Sequence, residues 1–293
     1  MQTIRETKTS NADTILLPVP KSFRNMKIEF TKMHGAGNDF IIMFSGVKPP
    51  LENPGKIPEI CSRTRGIGAD GIIFISKTGD ANSFKMKYYN SDGSAAGMCG
   101  NGLRCSALYA HHHLKADRNI RFFTDSGVLD TLVTGKNSVK IDIPVTKEFA
   151  KTRLLGRTVY YGSTGVPHAV MIVEDIDKVD VAGTGRKIRF HSFFGKAGTN
   201  VDFVSFPEKE NGVFKIRTYE RGVEGETCAC GTGISAAGLC LSQFFSVKSP
   251  VTFITPDKDI LKVEINFSGD MFSGLNLEGP AVEVFTGTLK SGR

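Results

Sequence analysis

Several features are missing from this chain of 293 residues, and each absence excludes a class of protein. No apolar run approaches the length that a membrane-spanning helix needs. Lysine and arginine are scattered without a long basic block, so the net charge of +7 does not indicate nucleic-acid binding. We therefore expect no nucleic-acid partner and no membrane partner, and the positive balance suits an anionic small molecule only weakly.

The six cysteines also lack the patterns of common cysteine-based classes. No Cys-x-x-Cys pair occurs, and Cys228-Ala229-Cys230 has no histidine at ligand spacing, which argues against a redox protein and a metal-binding module. Residues 1–25 lack the apolar core of a signal peptide and include Glu6 and Asp13. We expect these residues to form a poorly ordered N-terminal extension, and the protein to be cytoplasmic with reduced thiols.

Two short patterns resemble ligand sites, but their context argues against that interpretation. Gly66–Gly71 matches the dinucleotide motif, yet the apolar run Ile72–Ile75 predicts a strand where a helix is required. A tight turn between a helix and a strand is the better prediction. His111, His112 and His113 are consecutive, so on a helix they cannot all face one metal ion. We expect neither a cofactor nor a metal site.

The chain is organised around a cysteine motif that occurs twice. Cys99-Gly100-Asn101-Gly102 and Cys230-Gly231-Thr232-Gly233 are each followed by an apolar run long enough for a buried helix. Upstream echoes occur in the same order, at Tyr89-Asn90 and Tyr219-Glu220, and earlier at Gly37–Phe40 and Gly198–Phe203. The repetition predicts a duplicated domain with one cysteine-bearing helix in each copy.

A cysteine at a helix N-terminus lies against free N–H groups, which lower the pKa of its thiol and can also hold a carboxylate. Two such thiols related by a pseudo-twofold axis suggest a specific chemistry. One thiolate takes a proton from a carbon, and the other cysteine returns a proton to the opposite face, which inverts a stereocentre without a cofactor. Two glycine turns with buried structural cysteines are the alternative, and the repetition favours chemistry.

Strands dominate the remaining sequence, and few predicted helices are long. Lys27–Met33 and Phe40–Phe44 are among the segments with strand patterning, and a short helix is predicted around Ile60. The pattern predicts an α+β fold of two pseudo-symmetric domains, each a strand-rich sheet or barrel wrapped around a central helix. The N-terminal domain is predicted to comprise residues 26–145 and 280–293, and the C-terminal domain residues 146–279.

Four spaced motifs resemble those of diaminopimelate epimerases, in the same order: Lys32–Phe40, Asn90–Gly93, Cys99–Cys105 and Tyr219–Gly233. The resemblance runs from about Met26 to Leu289. It implies two similar domains, no pyridoxal cofactor, and interconversion of LL- and meso-diaminopimelate in lysine and peptidoglycan biosynthesis. It also implies a homodimer that acts on a small amino acid. A racemase of another amino acid with the same fold and chemistry is the alternative.

The resemblance further implies roles for individual residues. Cys99 and Cys230 match the two proton-transferring cysteines, and His168 and Glu220 match polar neighbours that orient the ammonium group or shuttle the thiol proton. Residues matching those that hold the α-carboxylate are Gly100, Asn101, Gly231 and Thr232. Residues matching those that bind the distal end are Asn38, Asn90, Asn200 and Arg221, whose guanidinium suits a bidentate carboxylate contact. This chain departs from the family at two positions near that end. The family often has Asn where this chain has Val166, and it sometimes has an amide side chain where this chain has Gly71.

Overall fold

The computed structural model describes residues 27–45, 54–207, 212–269 and 271–290. The first half of the described chain contains β1 (Lys27–Gly35), β2 (Asn38–Phe44), α1 (Ile57–Cys61), β3 (Gly71–Lys77), β4 (Ser83–Asn90), β5 (Ala95–Ala96), α2 (Gly100–His113), β6 (Asn119–Thr124), β7 (Gly127–Gly135) and β8 (Ser138–Asp142). The second half contains β9 (Lys147–Leu154), β10 (Arg157–Ser163), β11 (Pro167–Val173), α3 (Val181–Arg189), β12 (Asn200–Ser205), β13 (Phe214–Glu220), β14 (Gly225–Thr227), α4 (Gly231–Phe245), β15 (Val251–Ile254), β16 (Ile260–Ser268), β17 (Met271–Pro280) and β18 (Val282–Lys290).

The strands form two runs with the same topology. The first run is ordered β18, β1, β2, β3, β4, β6, β7, β8, and only β2–β3 and β4–β6 are parallel pairs. The second run is ordered β9, β10, β11, β12, β13, β15, β16, β17, and only β11–β12 and β13–β15 are parallel. The short strands β5 and β14 pair with β4 and β13 at equivalent places. This correspondence confirms the predicted duplicated α+β fold.

The two runs are joined where β8 pairs with β17. After β17 the chain returns to the first run, because β18 pairs with β1 from Lys27–Lys290 to His34–Val282. The predicted domain limits, 26–145 with 280–293 and 146–279, remain a proposal that this return supports. The predicted N-terminal extension lies outside the described residues.

Each run of strands wraps around one central helix, α2 in the first run and α4 in the second. Small residues alternate with aliphatic ones on both helices, so the surrounding strands approach closely. A Cβ at Gly238 of α4 would lie 2.7 Å from Cγ1 of Val263 on β16. Leu103 and Leu108 of α2 are fully buried, and each stabilises the packing by about 1.5–3 kcal/mol.

The two patterns that resemble ligand sites have structural explanations. The glycine-rich segment Gly66–Gly71 connects α1 to β3, which confirms the predicted turn between helix and strand. His111 Nδ1 lies 2.8 Å from the carbonyl oxygen of Ala116, whereas His113 Nε2 lies 2.8 Å from Glu283 Oε2, so these rings point to different partners. None of the described helices has the length and apolar character to cross a membrane.

Candidate active site at two helix N-termini

Cys99 and Cys230 occupy equivalent positions in the two halves. Each is the N-cap residue of its central helix and has an extended backbone, with φ −136° and ψ 121° at Cys99 and φ −109° and ψ 105° at Cys230. Their carbonyl oxygens accept the first hydrogen bonds of the helices, from the N–H groups of Leu103 and Ile234. The thiols therefore lie beside first-turn N–H groups that have no partner within the helix.

The second glycine of each motif is required by close packing. A Cβ at Gly102 would lie 2.8 Å from Cδ1 of Ile73, and a Cβ at Gly233 would lie 2.2 Å from Oδ1 of Asp202. A side chain at either position would push the start of the helix away from the sheet. These glycines therefore fix where the free N–H groups of α2 and α4 lie.

The starts of the two helices approach each other. A Cβ at Gly231, the first residue of α4, would lie 3.9 Å from both Asn101 Oδ1 and Arg104 Nη1 on α2. Gly100 is the first residue of α2, with space limited by Ile141, whose Cδ1 would lie 3.3 Å from an added Cβ. The four residues predicted to hold a carboxylate are therefore brought together at one junction between the halves.

A directed chain of hydrogen bonds supports Cys99. Arg104 Nη2 donates to Asn101 Oδ1 at 2.7 Å, Asn101 Nδ2 donates to Asn38 Oδ1 at 3.2 Å, and Asn38 Nδ2 donates to Asp70 Oδ2 at 2.7 Å. Because arginine only donates and an ionised carboxylate only accepts, the orientations of both amides are fixed. The Sγ atom of Cys99 lies 3.6 Å from Asn38 Oδ1, to which its thiol donates.

A second chain connects Cys230 to a buried base. His168 Nδ1 lies 2.7 Å from Asp202 Oδ2, and His168 Nε2 lies 2.9 Å from Thr232 Oγ1. Thr232 Oγ1 in turn lies 3.4 Å from Sγ of Cys230. Since the carboxylate can only accept, Nδ1 of His168 carries a proton, which leaves Nε2 facing the hydroxyl of Thr232. Asn200 Nδ2 lies 3.4 Å from the same Nε2 atom.

The remaining predicted residues differ in how closely they join this cluster. The N–H of Arg221 donates to Asn200 Oδ1 at 2.7 Å, and among the described residues its guanidinium forms no hydrogen bond or ion pair. Glu220 Oε2 accepts from Thr227 Oγ1 at 2.9 Å. Asn90 Nδ2 donates to Ser94 Oγ at 3.0 Å, and Asn90 makes no hydrogen bond to another predicted site residue in the described chain.

Burial controls the protonation of both cysteines. It raises the pKa of the Cys99 thiol and raises that of the Cys230 thiol well above its ordinary value. The carboxylate of Glu220 raises both further, and Asp202 also raises the pKa of Cys230. The N–H groups at the helix starts act in the opposite direction but are outweighed, so the lowered thiol pKa values predicted from the sequence are wrong. Packing around the two sulfur atoms reduces the water that would stabilise their charge, more completely at Cys230 than at the partly exposed Cys99.

The structure explains one departure from the family pattern. Gly71 pairs with Asn90 across β3 and β4, and a Cβ there would lie 2.4 Å from the Tyr89 carbonyl oxygen and 2.5 Å from Cε2 of Tyr88. An amide side chain therefore does not fit at position 71. Val166 lies in the turn before β11, where its carbonyl oxygen accepts from the N–H of Thr164 at 3.3 Å.

Sequence reasoning missed two charged residues of the site, Asp202 and Arg104. Both are fully buried, and each lies within a motif that the sequence already indicated. Their signal was a charge inside an otherwise apolar stretch, because such residues are almost never fully buried unless they are paired or functional. Thr164 was missed as well; its Oγ1 donates to the carbonyl oxygen of Thr232 at 2.9 Å.

Solved structures share this fold at low sequence identity. A hydroxyproline epimerase from Agrobacterium vitis matches with a TM-score of 0.63 and 13% identity, over 90% of this chain and 92% of that one. A phenazine biosynthesis protein of the PhzF family from Bacillus anthracis matches with a TM-score of 0.69 and 13% identity, over 90% and 99% of the two chains. These matches show that the chain shares the fold of these solved structures.

Sequence comparison makes the assignment more specific. The family described as diaminopimelate epimerase matches residues 30–146 and 160–274. Diaminopimelate epimerases from Hydrogenobaculum sp. strain Y04AAS1 and Aquifex aeolicus strain VF5 are each 39% identical to this chain over 277 residues. Those matches cover 88% and 89% of this chain and 97% and 98% of the relatives. The chain belongs to the diaminopimelate epimerase family.

Proposed function

We propose that this chain interconverts LL- and meso-2,6-diaminopimelate by a two-base mechanism without a cofactor, in lysine and peptidoglycan biosynthesis. The observation that carries the proposal is the equivalent placement of Cys99 and Cys230 as N-caps of α2 and α4. Because the first turns of these helices meet, a substrate held at the junction has one cysteine from each half beside it.

The α-carboxylate binds between the two helix starts, at Gly100, Asn101, Gly231 and Thr232. Free N–H groups and the positive ends of two helix dipoles favour an anion there. When the α-proton leaves, negative charge spreads from the carbon onto the carboxylate. Donors that are already in position stabilise this charge without reorganising, which lowers the barrier to proton removal.

The two cysteines then exchange protons with opposite faces of the α-carbon. One acts as a thiolate that takes the α-proton, and the other gives its thiol proton to the opposite face. Cys230 can be deprotonated despite its raised pKa, because Thr232 accepts its proton while giving its own to His168 Nε2. Asp202 stabilises the resulting imidazolium, as a carboxylate does for a catalytic histidine elsewhere.

The distal end of the substrate is bound by Arg221 with Asn38, Asn90 and Asn200. Two observations support this role: the guanidinium of Arg221 has no ion-pair partner among the described residues, and the backbone N–H of Arg221 donates to Asn200 Oδ1, which holds the residue beside the site. Arginine presents two parallel donors to a carboxylate, which selects a dicarboxylic substrate. Glu220 lies close enough to affect both thiols, and its carboxylate suits the ammonium group of the substrate.

The deciding experiment is incubation of the protein with LL-diaminopimelate in deuterated water. We expect deuterium at the α-carbon and formation of the meso isomer without added cofactor. Cys99→Ala and Cys230→Ala should each abolish epimerisation, whereas Cys240→Ala, a buried cysteine farther along α4, should retain it. Epimerisation at near-native rate in either of the first two variants would refute the two-base mechanism.

The alternative is a racemase of another amino acid. This alternative is worth testing because Gly71 and Val166, two positions near the distal end of the substrate, have no amide side chain that could bind that end. The same exchange assay with monocarboxylic amino acids separates the two functions. Rapid α-exchange of a monocarboxylic amino acid, with none of diaminopimelate, would replace the proposed substrate but not the chemistry.

A cytoplasmic homodimer completes the proposal, as the family resemblance implies. Phe267, Met271 and Phe272 are exposed at the β16–β17 hairpin, where the two phenylalanine rings lie 6.5 Å apart. Exposed apolar side chains in contact with each other are typical of surfaces that bind another protein chain. Sedimentation equilibrium should give twice the chain mass, and a Phe272→Ser variant should shift it toward the monomer.

A further inference from the structure

Arg104 has an unusual environment for a charged residue. It is fully buried on α2, and Nη1 is the one buried side-chain nitrogen or oxygen without a hydrogen-bond partner in the described part of the chain. Nε donates to the carbonyl oxygen of Pro280 at 3.2 Å, and Nη2 donates to Asn101 Oδ1 at 2.7 Å. Both acceptors are neutral, so no described carboxylate is paired with this buried cation. An unpaired buried charge is strongly unfavourable.

The surroundings add to this excess of positive charge. Arg104 lies in the second turn of α2, and its Nη1 is 3.9 Å from the position of a Cβ on Gly231, at the start of α4. Cations are unfavourable at helix N-termini, and two such termini meet here. Asp259 is near enough to influence the guanidinium but forms no ion pair with it. The positive charge of Arg104 and the two helix starts therefore favour an anion at the junction, such as a substrate carboxylate.

We propose that Arg104 is a positioning residue for the epimerisation, which holds Asn101 and places a fixed positive charge behind the helix starts for the reacting carboxylate. This proposal rests on the proposed function and adds a residue to it. A guanidinium cannot usefully deprotonate, so Arg104 takes no part in proton transfer. Its contribution grows as negative charge develops on the carboxylate, and it therefore affects kcat more than KM.

The test compares Arg104→Met, which removes the charge, with Arg104→Lys, which keeps it. We expect kcat to fall about 100- to 1,000-fold in Arg104→Met with a much smaller change in KM, and Arg104→Lys to recover most of the loss. Arg217→Met is the matched control, because it removes a partly buried arginine of β13 whose guanidinium is paired with a carboxylate, that of Glu226 on β14. The control should keep near-native kcat.

A double-mutant cycle with Asn101→Ala tests whether the effect passes through that side chain. If Arg104 acts by holding Asn101, the two losses in kcat should be strongly non-additive. A second measurement does not use turnover. The positive charge of Arg104 lowers the pKa of the Cys99 thiol. In a Cys230→Ala background, ultraviolet titration should therefore show thiolate forming at higher pH in Arg104→Met than with arginine or with Arg217→Met.

Three results would overturn the proposal. A folded Arg104→Met enzyme with kcat within about threefold of native would show that the charge is dispensable. If Arg104→Lys folds but its kcat falls by about 100-fold or more, charge is not the property that matters, and this measurement does not depend on whether Arg104→Met folds. If the pKa of the Cys99 thiol is the same in Arg104→Met as with arginine, the charge of Arg104 does not act on the site. If the native enzyme acts on a different amino acid, the same variants are compared by the rate of α-proton exchange of that amino acid. A wrong substrate assignment can then be distinguished from a wrong role for Arg104.

Discussion

His168 Nδ1 lies 2.7 Å from Oδ2 of Asp202, and neither side chain is exposed. The pair forms because β11 and β12 are parallel neighbours, with His168 opposite Asn200 in the register. The other oxygen of Asp202 accepts from Thr218 Oγ1 at 2.8 Å, so the carboxylate is fully engaged. This arrangement fixes the imidazole with Nε2 toward Thr232 and makes the tautomer of His168 a property that mutation can change.

Asp202→Asn should lower kcat by about 100- to 10,000-fold. The amide can donate to Nδ1, which would move the ring proton to Nε2 and prevent it from accepting from Thr232. Thr232→Val should also be impaired, whereas Thr232→Ser keeps the hydroxyl and should remain active. Ser235→Ala is the control, because it removes a buried hydroxyl of the same helix that donates to the Gly231 carbonyl oxygen and makes no hydrogen bond to His168 or Cys230 among the described residues. Steady-state kinetics with LL-diaminopimelate measure these effects. Full activity of Thr232→Val would exclude proton transfer from Cys230 through Thr232 to His168.

Arg221→Ala should weaken binding of diaminopimelate by about 2–5 kcal/mol if the guanidinium contacts a distal carboxylate in a closed site. A surface ion pair would instead contribute only about 0–1 kcal/mol to stability. We expect a large fall in kcat/KM, with thermal stability and thiol alkylation near native. Arg65→Ala, at an exposed position, is the control. Near-native kcat/KM for Arg221→Ala on diaminopimelate would favour a monocarboxylic substrate.

Cys228 should react slowly with alkylating agents although it is exposed. Its hydrogen bond to Asp257, together with partial burial, raises its pKa from 9.0 to about 11. Only the thiolate reacts, so at pH 8 alkylation should be about 100-fold slower than for an ordinary thiol and should increase as pH rises. Asp257→Asn should speed the reaction, and Asp125→Asn should leave it unchanged. Mass spectrometry of the peptide that contains Cys228 measures both, and rapid labelling at pH 8 would contradict the prediction.

Asp39→Asn should lower the free energy of unfolding at pH 7 by about 1–3 kcal/mol. Burial alone would raise the pKa of Asp39, but Arg63 and Lys32 more than offset it and hold the pKa well below 3.8. Such a group stabilises the folded state above its unfolded pKa, and the stabilisation is lost as pH falls from about 4 toward the folded value. The difference between native and variant should therefore shrink in acid.

Urea unfolding at pH 7 and pH 3 measures this difference. Asp130→Asn is the control, because Asp130 forms an ion pair with Arg121 in which both side chains are more than half exposed, at 55% and 54%. An exposed pair contributes about 0–1 kcal/mol, so the control should change little. Equal losses for the two variants at pH 7 would contradict a special role for the partly buried pair.

The sequence by itself determined the fold and the positions of the two cysteines, because the signals for these features are local. The first hydrogen bonds of α2 and α4 join residues four apart, and the motif with its apolar run contains everything that they require. Strands such as β1 and β2 were predicted within a few residues of their observed limits. The amphipathic helix α3 was missed, because two glycines and three basic residues obscure its pattern.

Only the tertiary structure decided which charges are buried and what they contact. His168 and Asp202 are 34 residues apart in sequence, and Arg104 and Pro280 are 176 apart. No local pattern encodes these contacts, since they arise from strand pairing and from the return of the chain to the first half. The direction of the thiol pKa shifts was reversed for the same reason: the helix N–H groups are a local feature, whereas the loss of water around Cys99 and Cys230 depends on the whole fold.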